Sequence, residues 1–179
     1  MNKLEVFCGD ITKIAVDVIV NAANNSLLGG GGVDGAIHKA AGNQLLDECK
    51  TLGGCNTGQA KITRAYKLPS RFVIHTVGPI WRGGNSNEPI LLADCYRNSL
   101  KLAVDNNLKT IAFPSISTGV YGYPMLYAAP IAIDESLKFI KEFPSIEKII
   151  FVCFDRVAEN IYREFLNKEL QNIIWRNVV

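Results

Sequence analysis

The amino-acid sequence predicts an α/β domain in which a mixed sheet lies between layers of helices. Apolar runs alternate with stretches of helical periodicity, as expected for strands followed by helices. Four of the runs are apolar nearly throughout, which is typical of strands buried on both faces: 18–20, 72–77, 110–113 and 149–152. Weaker strands over 3–8 and 59–66 belong nearer the sheet edges, and they favour a mixed rather than purely parallel sheet.

Helices are expected after several of these strands. Between Asp34 and Lys50, apolar residues recur at helical spacing at positions 37, 41, 45 and 49. A second helix is expected to begin beside Pro89, because proline is favoured at the first helical position. Leu92, Tyr96, Ser99 and Ala103 should form its inward face.

Two further helices are predicted in the second half of the chain. One lies between Pro124 and Phe143, although a proline inside a helix costs about 3 kcal/mol, so the regular part could begin at Pro130 instead. The other has Asp155 as its N-cap and runs to about Leu170. The tail over 171–179 is apolar and β-branched from position 173 on, and we expect it to pack on the domain or to add an edge strand.

Composition excludes several classes of protein. A chain of 179 residues is suited to one domain, and its net charge of +2 lacks the clustered basic residues of a nucleic-acid-binding protein. No apolar run is long enough to span a membrane, and no signal peptide is recognised after Met1. The five cysteines include no C-x-x-C pair, so we expect buried thiols in a reducing cytoplasm rather than disulfides or a metal site.

Two glycine-rich loops are the strongest functional signal. The first glycine loop (residues 21–35) follows the strand at 18–20, and the second glycine loop (residues 115–124) follows the strand at 110–113. Ligands of α/β sheets bind beyond the carboxyl ends of strands, where backbone N–H groups and helix N-termini favour phosphate. Two such loops in one sheet predict a site that binds a pyrophosphate from both sides.

Two better-known nucleotide motifs do not explain these loops. Gly30, Gly32 and Gly35 match the spacing of the dinucleotide-binding fingerprint, but residues 24–29 separate them from their strand, and no acidic residue follows a strand about 20 positions on. A nicotinamide-dependent oxidoreductase is therefore a weak hypothesis. The Walker A pattern is absent from the sequence, which argues against a nucleoside triphosphatase.

Four separated segments resemble the macro domain family, and in particular its MacroD-type hydrolase branch. They are residues 9–12, 18–42, 73–79 and 117–124, and the similarity extends in order from about Leu4 to Leu170. The resemblance implies a three-layer α/β/α macro domain over residues 1–170, a cleft for ADP-ribose and no cofactor. Zinc-dependent relatives replace the glycine run with Cys and His ligands, so the intact run at 29–32 implies no metal.

The resemblance also implies roles for individual residues. Asp10 would accept the adenine amino group, with a backbone contact from Ile11, and Phe154 would stack on the adenine. Asn24 and Asp34 would lie at the distal ribose, where the hydrolases of the family carry their chemistry. The diphosphate would be held by two groups of residues: Gly32 and Val33, and Ser117, Thr118, Gly119, Val120 and Tyr121.

Five of these residues also have a purely structural interpretation, and for Tyr121 it is that of a lid over the core. Asp34 could be a helix cap rather than a general base, and Asn24 could form only a loop turn. Asp10 could be a turn residue, and Phe154 could belong to the core.

We expect His38 and His75 to be hydrogen-bonded in the interior rather than to act in catalysis, and we expect the cysteines to be buried there as well.

The favoured hypothesis is a hydrolase. It would deacylate O-acetyl-ADP-ribose or remove ADP-ribose from modified carboxylate side chains, since both substrates present an ester on the distal ribose. The alternative is a module that binds ADP-ribose, or proteins carrying it, without turnover. The pair formed by Asn24 and Asp34 distinguishes these hypotheses, because a pure binder has no need of it.

Overall fold

The computed structural model describes residues 3–176 as a six-stranded mixed sheet with helices on its faces. The strands are β1 (Leu4–Cys8), β2 (Val18–Ala22), β3 (Ala60–Arg64), β4 (Phe72–Thr76), β5 (Thr110–Pro114) and β6 (Lys148–Cys153). The helices are α1 (Gly32–Ala41), α2 (Asn43–Thr51), α3 (Glu88–Asp105), α4 (Met125–Glu142) and α5 (Arg156–Arg176), with a short 3-10 helix over Ile11–Lys13. The α/β/α class and the mixed sheet expected from the sequence are confirmed.

The strand order is β1-β6-β5-β2-β4-β3, and only β3 runs antiparallel to its neighbour within the described sheet. The two strands with the weaker sequence signals, β1 and β3, are therefore the edges, as expected. The four strongly apolar strands form the centre, because helices cover both of their faces. The carboxyl ends of the five parallel strands share one edge of the sheet.

The core is divided by the sheet into two apolar layers. Helices α3, α4 and α5 pack on one face, where Tyr96, Phe113, Phe151 and Tyr162 are fully buried. Helices α1 and α2 pack on the other face, where the predicted stripe of Ile37, Ala41, Leu45 and Cys49 is fully buried. The inward residues expected for α3 are likewise buried.

The prediction of a single helix between Asp34 and Lys50 is wrong, because the structure has two helices there. Gly42 separates α1 from α2 with a φ of +86°, a backbone conformation that favours glycine. Its backbone N–H still closes the C-terminal turn of α1, because it donates to the carbonyl oxygen of His38. The apolar stripe continues across the break, which is why periodicity alone did not reveal it.

Pro130 does not delay the start of α4, which begins at Met125. The missing N–H deprives the carbonyl of Leu126 of its helical donor. Leu126 is exposed, so this loss falls near solvent rather than in the core. The alternative helix start at Pro130 is therefore wrong.

Helix α5 begins as predicted, since Asp155 Oδ1 accepts the N–H of Ala158 at 2.8 Å. The helix continues to Arg176 rather than ending near Leu170. The predicted tail thus starts as helix, and residues 177–179 lie outside the described part of the chain. Within residues 3–176, no helix has the length and apolar character needed to cross a membrane.

Candidate functional site

The predicted site residues lie along the edge formed by the carboxyl ends of the parallel strands. The strand order places Asp10 after β1 beside Phe154 after β6, then the second glycine loop after β5, then the first glycine loop after β2. The structure therefore brings the predicted site residues into one row. Asp10 and Phe154 lie at one end of this row, and the first glycine loop, which carries Asn24 and Asp34, lies at the other. Neighbouring strands β5 and β2 make the two loops adjacent.

The side chains of Asn24 and Asp34 both approach Gly30. A Cβ atom at Gly30 would lie 3.0 Å from Asp34 Oδ2 and 3.2 Å from Asn24 Nδ2. Gly35 has a related role, because a Cβ there would lie 2.5 Å from the carbonyl oxygen of Gly30. These two glycines let the loop fold closely over α1 and bring the amide and the carboxylate to one spot.

Asp34 is not a helix cap. The N-cap of α1 is Gly31, and among the described residues no side chain caps this helix end. The carboxylate is instead buried, with Oδ1 accepting from Asn21 Nδ2 at 2.7 Å and lying 3.5 Å from His38 Nε2. The structure thus removes the capping interpretation and leaves a buried carboxylate beside the first glycine loop.

Burial raises the pKa of Asp34 above its ordinary value, and the hydrogen bond from Asn21 and the proximity of His38 only partly oppose this. A helix N-terminus by itself would favour the ionised form of a carboxylate. Desolvation acts in the opposite direction, and it is the largest contribution to the shift at Asp34. A carboxylate with a raised pKa is a stronger base, provided that it stays ionised at the working pH.

Asn24 also shapes its own loop. Its Oδ1 accepts from the N–H of Ser26 at 3.1 Å and from Ser26 Oγ at 2.6 Å, and its Nδ2 donates to the carbonyl of Gly29 at 2.9 Å. The predicted turn-forming role is therefore real. The amide nitrogen carries a second hydrogen, so a ligand contact is compatible with the turn.

The second glycine loop is built from tight turns. Ser117 is buried with a φ of +66°, and its carbonyl accepts the N–H of Tyr123 at 3.0 Å. The N–H of Gly122 bonds to the carbonyl of Gly119 at 2.9 Å, and Thr118 bonds back to Ser115. Thr118, Gly119, Val120 and Tyr121 are left partly or fully exposed at the tip.

Both loops present backbone N–H groups for which residues 3–176 provide no acceptor. In the second loop, none of the described partners accepts from the N–H groups of Gly119, Val120 or Tyr121. In the first loop, the same holds for the opening residues of α1, Gly32 and Val33, as the start of an uncapped helix requires. Such groups favour an anion, and phosphate is the usual one.

Two supporting residues escaped the functional interpretation of the sequence. Gly78 has no room for a side chain, because a Cβ there would collide with Ser117 and Ile116 of the second loop. The backbone N–H of Trp81 donates to the carbonyl oxygen of Tyr121 at 2.9 Å. The Trp81 ring packs on the buried ring of Tyr123, with 4.5 Å between the ring centroids. The segment after β4 therefore supports the second glycine loop through packing and a backbone hydrogen bond. The only sequence signal was the Gly78-Pro79 pair.

Asp10 and Phe154 occupy the other end of the row. Asp10 is exposed, and its Oδ1 accepts from the N–H of Thr12 at 2.9 Å and from Thr12 Oγ1 at 2.7 Å. These hydrogen bonds lower the pKa of Asp10. Phe154 is 95% exposed, which excludes the core interpretation, whereas Ile11 is buried under the edge. A planar ligand could therefore reach both Phe154 and Asp10.

The two histidines differ from each other. His75 is interior and hydrogen-bonded, as expected, and burial lowers its pKa to about 3. His38 instead lies beside the Asp34 carboxylate, and sequence reasoning missed this contact. The signal was available, because residues four apart on a helix share a face.

His38, Cys49 and His75 also bring three donor atoms within 4.8 Å of one another. His75 Nε2 is already 2.9 Å from Thr63 Oγ1, and burial raises the pKa of the Cys49 thiol to about 11. A metal ion would have to displace the first contact and deprotonate the thiol. We therefore assign the cluster to the hydrogen-bonded interior.

Comparison with known proteins agrees with this geometry. The macro domain family matches residues 20–132, which include both glycine loops. The chain belongs to the macro domain family. A macro domain-containing protein of Chlorobaculum tepidum is 61% identical over 88% of this chain and 91% of that protein. A protein of Citrobacter rodentium named O-acetyl-ADP-ribose deacetylase is 55% identical over 94% of this chain and 97% of that protein.

Solved macrodomain structures share the fold. The Oceanobacillus iheyensis macrodomain with ADP superimposes with a TM-score of 0.91 at 48% identity, covering 94% of this chain and 92% of that one. The Trypanosoma brucei macrodomain in complex with ADP-ribose gives 0.86 at 46% identity, covering 90% of this chain and 68% of that one. The macro domain fold expected from the sequence is thus confirmed.

Proposed function

We propose that this macro domain is an ester hydrolase acting on O-acetyl-ADP-ribose and on ADP-ribose esterified to carboxylate side chains of proteins. The observation that carries the proposal is the buried carboxylate of Asp34, which lies with the Asn24 amide beside Gly30 in the first glycine loop. The similarity to proteins named O-acetyl-ADP-ribose deacetylase supports the same activity.

The row along the sheet edge matches the chemical order of ADP-ribose. Adenine would stack on exposed Phe154 and donate its amino group to Asp10, which stays ionised as an acceptor because its pKa is lowered. The diphosphate would bind between the opening turn of α1, at Gly32 and Val33, and the tip of the second loop. The distal ribose would then reach the pocket of Asn24 and Asp34.

The proposed reaction uses Asp34 as a general base. Its carboxylate takes a proton from water, and the oxygen of that water attacks the acyl carbon of the ester. When the tetrahedral intermediate collapses, the bond from the acyl carbon to the ribose oxygen breaks, and Asp34 returns the proton to that oxygen. Asn24 orients the water or a ribose hydroxyl. Both proposed substrates carry the same ester, so one site serves both.

A phosphate oxygen of the substrate is an alternative proton acceptor. In that case Asp34 would orient the water rather than ionise it. The two versions differ in their response to Asp34→Asn, which keeps the shape of the side chain and removes its basicity. Only the general-base version requires a large loss of rate in that variant.

One observation favours the second hypothesis, a binding module without turnover. The Asn24 amide already serves the loop through its bonds to Ser26 and Gly29, so this residue has a structural reason to be present. The buried Asp34 carboxylate has no comparable reason, since it costs stability and caps nothing. For this reason we prefer the hydrolase.

The deciding experiment is incubation with O-acetyl-ADP-ribose while acetate release is followed, beside calorimetry with ADP-ribose. We expect turnover and a dissociation constant on the order of micromolar, near 8 kcal/mol of binding free energy. Binding without acetate release, tested also on a protein carrying an ADP-ribosyl ester, would assign the chain to the binding modules. Neither binding nor turnover would exclude both hypotheses.

A further inference from the structure

A chain of buried polar side chains runs from Asp34 into the sheet. Asn21 Nδ2 donates to Asp34 Oδ1 at 2.7 Å and lies 3.1 Å from His75 Nδ1. The other ring nitrogen, His75 Nε2, lies 2.9 Å from Thr63 Oγ1. All four residues are at most 4% exposed. The proposed base is thus connected through two side chains to the edge strand β3.

The strand register explains why these residues meet. Asn21 on β2 is the direct partner of His75 on β4, and His75 in turn pairs with Lys61 on β3. Thr63 follows Lys61 by two positions, so both project from the same face of the sheet. That face is the one covered by α1, which carries Asp34. The contacts are therefore a product of sheet pairing and not of sequence proximity.

The hydrogen atoms available dictate one arrangement when Asp34 is ionised. The Asn21 amide nitrogen donates one hydrogen to the carboxylate and directs the other to His75 Nδ1, which must then carry no proton. The neutral ring consequently holds its proton on Nε2 and donates it to Thr63. Burial keeps the ring neutral, since it lowers the pKa of His75 to about 3.

The opposite arrangement suits only a protonated Asp34. A proton on His75 Nδ1 would require the oxygen of the Asn21 amide in place of its nitrogen. That oxygen would then face Asp34 Oδ1 at the same short separation, where two oxygens repel unless one carries a proton. The tautomer of His75 and the ionisation of Asp34 are therefore linked through Asn21.

We propose that His75 and Thr63 are positioning residues, which hold the Asn21 amide so that it donates to Asp34 and keeps this carboxylate ionised and correctly placed. The inference rests on the proposed role of Asp34 as general base. The other titratable groups that face this chain are His38 on α1 and Cys49 on α2. Neither interrupts the path from Thr63 to Asp34.

The first test needs no substitution. Nitrogen-15 NMR of the ring in the wild-type protein should show His75 neutral, with its proton on Nε2, between about pH 5 and 8, whereas an unperturbed histidine titrates in that range. A proton on Nδ1 at neutral pH, or titration within the range, would overturn the proposal.

The second test breaks the far end of the chain with Thr63→Val, which is nearly isosteric and keeps a β-branched residue in the strand. We expect the carboxyl pKa of Asp34, followed by carbon-13 NMR, to rise by about one unit, so that the rate on the acid limb falls about tenfold. Thr63→Ser, which keeps the hydroxyl, should restore both values.

Thr76→Val is the matched control. Thr76 is also a buried strand threonine, but its hydroxyl donates to the carbonyl of Gln59 and lies outside the chain. Its substitution should leave the pKa of Asp34 unchanged. An equal effect of both valine variants, or none from Thr63→Val, would reject the positioning role.

The NMR readout separates this inference from the proposed function. If the wild type binds ADP-ribose without turnover while the pKa of Asp34 still depends on Thr63, only the hydrolase proposal fails. If acetate is released and the pKa of Asp34 is the same in Thr63→Val, only the positioning chain fails.

Discussion

Asp10 and Asp34 mark opposite ends of the same sheet edge, and their surroundings differ in every respect that matters for chemistry. Asp10 is exposed, and two hydrogen bonds from Thr12 lower its pKa. Asp34 is buried, and desolvation raises its pKa despite the hydrogen bond from Asn21. The first carboxylate stays ionised over a wide pH range, whereas the second is closer to exchanging a proton.

In the proposed function, one residue type serves both recognition and catalysis, and the two environments suit these different roles. A permanently ionised, exposed carboxylate is a dependable hydrogen-bond acceptor for a ligand amino group, but it is a weak base. A buried carboxylate with a raised pKa is unfavourable for stability, yet it is better suited to take a proton from water. The proposed function therefore assigns ligand recognition to one end of the sheet edge and chemistry to the other.

The largest effect that would test this division is expected from Asp34→Asn. We expect kcat for acetate release to fall about 10²- to 10⁴-fold, as for the loss of a general base, with nearly constant affinity for ADP-ribose. The matched variant is Asp10→Asn, for which affinity should fall and kcat should change little. Steady-state kinetics and calorimetry on both variants measure the two quantities. An unchanged rate in Asp34→Asn would move the proton acceptor to the substrate phosphate.

Gly30→Ala should disturb the catalytic end without changing the backbone. The added Cβ would press on Asp34 Oδ2 and Asn24 Nδ2, and misplacing catalytic groups by about 1 Å can cost about 10²-fold in rate. Gly31→Ala is the control, because a Cβ there meets nothing within 4 Å and its φ of −94° suits any residue. The comparison is of kcat in the two variants. Equal rates would show that the meeting of Asn24 and Asp34 at Gly30 has no catalytic importance.

Gly119→Val tests the phosphate site between the two ends. Gly119 has no atoms within 4 Å of its Cβ position, so the fold should survive, while the side chain should obstruct the bound diphosphate. Losing charge-assisted hydrogen bonds of about 1.5–3 kcal/mol would weaken ADP-ribose at least about tenfold by calorimetry. Gly32→Val is a less specific test, because the φ of +59° at Gly32 is strained for a residue with a side chain and the variant could lose stability as well as affinity. A Gly119→Val protein that folds and binds normally would contradict the two-loop site.

Phe154→Ala should weaken binding at the recognition end alone. Stacking of a base on an aromatic ring is worth about 1–3 kcal/mol, and Phe154 is too exposed to support the fold. We therefore expect weaker ADP-ribose binding with an unchanged melting temperature. Val157→Ala removes a nearby exposed apolar side chain and should change neither quantity. Normal affinity in Phe154→Ala would place the adenine elsewhere.

The smallest effect concerns stability. Because the pKa of Asp34 is raised in the folded state above its ordinary 3.8, the folded protein binds a proton more readily than the unfolded chain. Stability from this residue is thus present below pH 3.8 and decreases as the pH rises through the raised pKa. Asp34→Asn should raise the melting temperature at neutral pH, by about 2–4 °C for each kcal/mol recovered. The gain should vanish near pH 4, and a destabilised variant at pH 7 would contradict the desolvation argument.

Much of the fold followed from local patterns in the sequence. Continuous apolar strands indicated a sheet covered on both faces, and the weaker strands were correctly expected at the edges. The break at Gly42 was missed, because the stripe from Ile37 to Cys49 keeps its period across the two helices. A positive φ does not change the hydrophobic periodicity, and the presence of a glycine does not by itself indicate one.

For the site, the sequence by itself determined the loops and the types of side chain that they carry. It could not determine which carboxylate is buried, because desolvation depends on the helices and strands that close over a residue. By its position in the sequence Asp34 could be a helix cap, and only packing against Asn21 and His38 makes it a buried group with a raised pKa. The link from Asp34 to His75 and Thr63 is likewise tertiary, since strand register brings together residues that are far apart in the chain.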